Sequence, residues 1–540
     1  MIESPRHTSD SWDVIVIGGA LSGASTAWML LRRNPLLRVL IIERSEYFKR
    51  RVGESTVEIS SYFLGRVLGL THHLNESHLA KQGMRFWFKN EKARTLGDCS
   101  ETGPGYNVRL PGYQVDRAVL DEEMLAKATA AGAVLRRPVR VRDVALAPGE
   151  RQRVSWEDDS GATGIETARW VVDASGVVAL LARKNGWLRP NTEHPIASAW
   201  SRWTGVKNWD SLELAEKFPA WSRRTKATRF TATNHLVGQG WWAWMIPLKG
   251  GDVSVGVVFD QRLVDLPPGN SLGERLRTHL MEHPAARELL ADATWTEGDV
   301  HLRRNLAYSS TTFAGDGFVL VGDAAGFIDP FYSPGMDWIT YTTSAAAALV
   351  DGCLRNEPAD SLIARHNALF STSYDRWFRA IYKDKYFYMG DHELQTLAFR
   401  LDLGLYYAGV VSQPFKHGAV ALEIPSFAGP HTTLPFKFIA FYNRRLAAIA
   451  QSRIARGVWG ESNAGRYFGF RSYELSWILP FRILFAVGAY ARLELREGWR
   501  TWIGARKTRS SEAVGSHTRT SLAGSKTAPV PVQSGLIGEA

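Results

Sequence analysis

The residues Gly18-Gly19-Ala20-Leu21-Ser22-Gly23 have the types and spacing to hold a phosphate group. They follow a β-branched apolar run, Asp13 to Ile17, and precede a helix-compatible stretch, Ala24 to Arg33. In such a turn the first glycine allows a sharp bend, the second admits a pyrophosphate, and the last lets the helix pack on the strand. Gly18 and Gly23 fit. Ala20 stands where the middle glycine is expected, and its methyl group restricts the approach of phosphates. A second apolar run, Arg38 to Ile42, completes a βαβ unit and ends at Glu43, placed to accept hydrogen bonds from a ribose. That acid makes a 2′-phosphate unwelcome. The competing reading is a strand-to-helix turn with no ligand.

Other elements must bring partners to this turn. Trp170 to Gly176 (WVVDASG) and Gly317 to Asp323 (GFVLVGD) both read as strands running into tight turns. The segment from about 190 to 305 is rich in Trp, Thr and Val, with alternation as in Asp252 to Asp260, and is expected to form a sheet covering a pocket. From Tyr341 onward helix-forming residues dominate, with breaks at Gly404, Pro414 and Pro425.

Three segments together resemble the FAD-binding set of the hydroxylase-like flavoproteins: Gln114-Val115-Asp116-Arg117 with the following helix through Met124, Asp173-Ala174-Ser175-Gly176, and Gly322-Asp323-Ala324-Ala325-Gly326. The resemblance implies that Asp323 contacts the ribityl chain, that Arg117 lies close to the cofactor, and that Asp173 and Gly322 belong to the same set. Two further motifs, Trp242-Ala243-Trp244-Met245-Ile246-Pro247 and Phe327-Ile328-Asp329-Pro330-Phe331-Tyr332-Ser333-Pro334-Gly335, resemble signatures of the flavin-dependent halogenases. The fold then expected is α/β (α+β). It comprises a Rossmann-like FAD-binding domain (10–185 and 300–350), a β-sheet substrate-side domain (186–299), a helical C-terminal region (351–505) and a disordered tail (506–540).

Membership would imply that FADH2, O2 and chloride or bromide yield hypohalous acid, which a lysine captures at the far end of a tunnel. Trp242, Trp244, Ile246, Pro247, Phe327, Pro330 and Ser333 would wall the two compartments apart, and backbone N–H groups around Gly335 and Met336 would hold the halide. Gly53-Glu54-Ser55-Thr56 matches the family's G-E-S-x segment, and Lys81-Gln82-Gly83 matches the K-x-G that follows it, so Lys81 is the catalytic candidate and Lys89 the second choice. Two departures are informative. Tyr332 replaces the glutamate that tryptophan-specific members carry before the motif serine, which favours a phenolic or other electron-rich substrate. Pro334 lacks an N–H, so the halide site loses one donor. The implied partners are a flavin reductase and a small aromatic substrate, free or tethered to a carrier protein.

Composition bounds the rest. A chain of 540 residues with 45% hydrophobic and 22% charged residues excludes wholesale disorder and fibres. Two cysteines, Cys99 and Cys353, exclude a disulfide scaffold. The N-terminal residues have no apolar core, and no later run reaches the ~20 apolar residues of a span, so a cytoplasmic location is expected. His72, His73 and His78 lack a carboxylate at ligand spacing, and no metal is expected. From Lys437 to Arg509 there are 14 Lys and Arg against 4 Glu, a net +10 of the chain's +11. This region is a candidate to dock an anionic membrane surface or an acidic carrier protein; nucleic acid is not expected. Competing readings are an FAD monooxygenase or isoprenoid reductase on the same fold, and a non-catalytic protein of the GDP-dissociation-inhibitor type.

Overall fold

Five strands run parallel through the first sheet, in the order Phe318–Leu320, Thr163–Asp173, Ser11–Ile17, Val39–Ile42, Val134–Arg136. The computed structural model describes residues 11–110, 112–471 and 475–501, so the expected tail at 506–540 lies outside them. The sheet's register matters most for function. Ile17 pairs with both Asp173 and Ile42, and Asp173 pairs with Leu320. The carboxyl ends of four strands are therefore level, and the turns that leave them lie along one edge. In open parallel sheets that edge is where ligands bind. The central strands read as unbroken apolar runs because both faces are covered: Val14, Ile15, Val16, Leu40 and Ile41 have no exposed surface.

The second sheet has nine strands, with Trp241–Pro247 between Thr233–Gly238 and Val253–Asp260. All seven residues of Trp241–Pro247 are buried, so the strand lies against the body of the protein on one face and its own core on the other. This sheet reaches beyond the 186–299 segment expected for it. Met84–Phe88 and Ser100–Pro104 join from the N-terminal side and His301–Arg303 and Tyr467–Phe470 from the C-terminal side. The reason is local. Phe86, Trp87 and Phe88 are completely buried, a run with no solvent face that pairs in parallel with Thr233–Gly238.

The long helices Pro334–Leu354, Ala359–Trp377, His392–Tyr406 and Thr433–Ala455 follow. The first is buried nearly all round, as expected of a helix that is apolar on every face. No described helix is long and apolar enough to cross a membrane. The chain divides into two units, 1–491 and 492–540; all the elements above belong to the first.

Candidate active site

The glycine turn is built for close approach. A methyl group on Gly23 would lie 1.9 Å from the Gly18 carbonyl oxygen, and one on Gly18, whose φ is +98°, would lie 2.5 Å from the Ala174 carbonyl oxygen. Ala20 sits at the N-cap of helix Leu21–Arg33 in extended conformation, so its Cβ is accommodated without strain. Glu43 is buried, and its carboxylate accepts the Gly19 and Ser45 N–H groups at 2.7 and 2.9 Å. The acid thereby fixes the turn, with lone pairs left over for a ribose. Arg117 forks onto Asp121 at 3.1 Å, and Asp121 also accepts the Leu21 N–H at 3.3 Å. The Arg117 charge acts on Asp323, whose carboxyl burial pushes upward. The Gly322 N–H is held by Thr342 Oγ1 at 2.9 Å.

Asp173 stands at the end of its strand, level with Ile17 and Leu320. It is wholly buried, with one oxygen accepting the Ser175 N–H at 3.0 Å and the other the Leu181 N–H at 2.7 Å. It shapes its own turn, which in turn backs Gly18.

The G-E-S-T segment and Lys81 form one construction. Glu54 is buried against the Arg202 guanidinium. The two following residues hold the lysine: Lys81 Nζ donates to Ser55 Oγ at 2.8 Å and to the Thr56 carbonyl at 2.9 Å. Strand Leu79–Lys81 pairs with Gly112–Gln114, setting Lys81 opposite Gly112, where a side chain would collide with the Thr56 carbonyl at 2.8 Å. Lys81 is 2% exposed, and among the described residues no carboxylate lies within ion-pair distance of it. Burial therefore pulls its ammonium down to about 8, opposed only through space by Glu58 and Asp337. Near neutrality a fraction of Lys81 is a free amine, the nucleophilic form.

Two other lysines near the motifs are held differently. Lys385 is fully buried but pairs with Asp402 at 2.8 Å, and Lys89 lies at the surface on the Glu282 carbonyl, 3.0 Å away.

Lys81 opens into a cavity of about 1120 Å³, counting space open to solvent. Thr56, Glu58, Tyr332, Pro334, Asp337 and Asp402 share its lining. Two residues of the second motif thus reach the lysine's cavity. Tyr332 and Ser333 both have positive φ, +70° and +58°, unusual for side chains of their size and typical of strained functional turns. Pro334 takes the first position of its helix, where a missing N–H costs the helix nothing. Beside Gly335 there is open space, and Met336 is buried.

Trp242 and Trp244 do not line the cavity. Trp242 packs on Phe331 with ring centroids 5.1 Å apart, and Phe331 packs on Tyr332 at 4.3 Å, so the indoles form the layer behind the lining. Trp242 Nε1 donates to the Tyr386 hydroxyl, which donates to Asp329 Oδ2, and His194 Nε2 meets the same oxygen at 2.7 Å. Tyr374 holds the Phe327 carbonyl at 3.2 Å and the Ser333 N–H returns to the Pro330 carbonyl at 2.9 Å. The W-x-W-x-I-P strand, with Ile246 and Pro247 buried at its end, is thus wired to the turn through Asp329. Sequence reasoning missed Asp329, Glu58, Asp337 and Asp402. Asp329 lies within the serine motif and Asp337 two residues after it; Glu58 and Asp402 carry no such signal.

The profile of the family described as tryptophan halogenase matches residues 92–387. The chain belongs to that family. It is an FAD-dependent halogenase, an enzyme of the oxidoreductase class, and its relatives bear the same description. It is 27% identical over 522 residues to the flavin-dependent halogenase chlA of Dictyostelium discoideum, covering 90% of this chain and 84% of that one. It is 26% identical over 400 residues to the sulochrin halogenase gedL of Aspergillus terreus, covering 68% of each. Among solved structures, halogenase PltM superposes with a TM-score of 0.70 at 20% identity over 90% of this chain and 99% of that one. The flavin-dependent brominase Bmp2 superposes at 0.62 and 19% over 83% and 100%. Those likenesses establish the α/β fold. FAD is the cofactor, with a halide as co-substrate, and flavin-dependent halogenases work with a separate flavin reductase and an aromatic substrate. The monooxygenase, isoprenoid-reductase and GDP-dissociation-inhibitor readings find no support in these comparisons.

Proposed function

We propose that this halogenase acts on phenols, transferring chlorine or bromine from Lys81 to a ring held in the cavity beside it. The observation that carries the reading is a buried lysine without an acidic partner, opening on the same cavity as Tyr332 and Pro334 of the serine turn. Gly18, Ala20, Gly23, Glu43, Arg117, Asp173, Gly322 and Asp323 are the residues that would hold FAD at the sheet's carboxyl edge. The turn fits the group, since bare backbone at Gly18 and Gly23 lets the turn pack against Ala174 and against the first helix, which sets the helix N-terminus at the edge where a pyrophosphate binds. When bound and reduced, FAD would give two electrons to O2, bringing it to the peroxide level at which it can oxidise a halide. The N–H groups of Gly335 and Met336, at the start of a 21-residue helix, favour an anion. Trp242 and Trp244 stiffen the wall behind Phe331 and Tyr332, keeping the substrate from the flavin side.

A phenolic substrate follows from Tyr332. Its hydroxyl bonds Asp402 at 3.2 Å and receives the Gln395 amide at 3.1 Å, so it is a fixed wall and no base. PltM, the relative of similar fold, has been captured with phloroglucinol and FAD. Competition between simple phenols and free tryptophan, with chloride or bromide and reduced FAD, is expected to give halogenated phenols and unaltered tryptophan. Preferential halogenation of tryptophan would overturn the substrate class.

We also propose that the basic C-terminal region seats on an anionic membrane surface. Phe481, Leu484 and Phe485 are 53, 64 and 69% exposed on one face of helix Leu479–Leu493, and Trp477, 78% exposed in the turn before it, packs on Phe481, with Arg482 touching the Arg471 carbonyl beside them. Aromatic and aliphatic side chains next to arginines are the composition of an interfacial helix. Binding to vesicles containing phosphatidylserine is expected to fall steeply as salt rises from 0.1 to 1 M, where the Debye length shrinks from ~10 to ~3 Å. Preference for an acidic carrier protein over such vesicles, or no vesicle binding at low salt, would overturn this.

A further inference from the structure

Glu58 and Asp337 line the cavity that Lys81 lines. Asp337 is 1% exposed and stands in the first turn of helix Pro334–Leu354. Its Oδ1 accepts the Ser60 N–H at 3.0 Å and its Oδ2 the Tyr406 hydroxyl at 3.1 Å. Glu58 opens the short helix Glu58–Tyr62, and its Oε1 accepts the Tyr407 hydroxyl at 2.6 Å. These partners are all neutral, and among the described residues no cation lies within ion-pair distance of either acid.

Two carboxyl groups in one apolar cavity cannot both ionise without a large cost. Burial pushes both carboxyls upward, and the Glu58 charge pushes Asp337 further in the same direction. Resting on the phenolic reading, we propose that Asp337 is the base that takes the proton from the substrate's ring hydroxyl, with Glu58 limiting the pair to one negative charge. The O–H bond of the substrate breaks, its proton goes to Asp337 Oδ2, and the electron pair stays on the phenolic oxygen. That charge spreads to the ortho and para carbons, which then meet the electrophilic halogen. No oxidant is needed for this step beyond the one halogenation already uses.

Asp337 is the better placed of the two acids. It begins the helix that issues from the Ser333 turn, where the N-terminal end of the dipole favours its ionised form. Burial still pushes its carboxyl up to about 7, close to the value a base needs near neutrality. The titratable groups facing it are Glu58, Lys81, Tyr341, Tyr382 and Tyr406. The three tyrosines are held above their ordinary value by burial and stay protonated, so Glu58, itself pushed upward by burial, and Lys81 are the groups that titrate alongside it. A glutamate is absent from the position before the motif serine, and Asp337 restores a carboxylate to the same cavity from one turn further on.

The test compares the unmutated enzyme, Asp337→Asn and Glu58→Gln on an ordinary phenol and on a nitrophenol that is already ionised at the assay pH. Asp337→Asn is expected to lose about 100-fold in halogenation of the ordinary phenol, the usual worth of a general base. It keeps most of its turnover with the nitrophenol, which arrives without the proton. Retained FAD and unchanged flavin reoxidation show that the variant is folded. Glu58→Gln is expected to move the acidic limb of the pH profile to lower pH, because the opposing carboxyl is gone. Equal losses on both phenols, or an acidic limb that stays in place, would overturn the assignment while leaving the phenolic reading standing. Absence of halogenated product from the unmutated enzyme with either phenol would overturn the phenolic reading and this assignment with it.

Discussion

Lys81→Ala is expected to abolish aromatic halogenation while reduced FAD is still consumed by O2 at close to the normal rate. The two activities separate because the lysine and the flavin turn are held by different parts of the fold. Lys81 is fixed by Ser55 and Thr56 and opens on the cavity, whereas the proposed cofactor residues line the carboxyl edge of the first sheet. Removing the group proposed to capture the oxidant is expected to cost on the order of 10³-fold or more in product. Lys81→Arg is expected to fail as well. A guanidinium stays protonated, while the buried ammonium of Lys81 is pulled down to about 8. Lys89→Ala, at the surface on Glu282, is expected to behave like the unmutated enzyme. Full halogenation by Lys81→Ala, or loss confined to Lys89→Ala, would assign the role to the wrong lysine. Product formation and flavin reoxidation, recorded side by side, make the distinction.

Gly23→Val is expected to leave the protein unable to retain FAD. The first atom of any side chain there would overlap the Gly18 carbonyl oxygen at 1.9 Å, so helix and turn must move apart. Overpacking on that scale costs about 3 kcal/mol of stability, and a turn displaced from the strand end no longer presents its backbone to the pyrophosphate, so FAD is expected to be lost on desalting. Gly409→Ala, where a Cβ meets nothing within 4 Å, is the matched control and should keep its yellow colour after desalting. A yellow Gly23→Val protein would mean that the turn is only structural.

The parts of this site that could be read from sequence are those whose function is local. A strand, a glycine turn and a helix are contiguous, so Gly18, Gly23 and Glu43 stand out by spacing alone. The pairing of G-E-S-T with Lys81 was legible as a resemblance, and its cause is now physical: two residues of the segment are the hydrogen-bond acceptors of the lysine. Asp173 is legible as the end of a strand running into a turn, but its hydrogen bonds to the Ser175 and Leu181 N–H groups depend on how that turn folds. Glu58 and Asp337 lie 279 positions apart and meet only when the helix after Ser333 packs on the helix after Thr56. The reach of the second sheet beyond 186–299 was hidden for a similar reason. Phe86-Trp87-Phe88 reads as a strand but says nothing of its neighbour, Thr233–Gly238, which lies some 150 residues further on.

The central claim is that the oxidised halogen reaches the ring by way of Lys81. The measurement that tests it most directly is the division of halogen between the aromatic substrate and a diffusible scavenger, per flavin oxidised, in the unmutated enzyme and in Lys81→Ala. Halogen is expected almost wholly on the substrate in the first and almost wholly on the scavenger in the second, with equal flavin consumption. Halogen on the substrate in the same proportion in both proteins would contradict it.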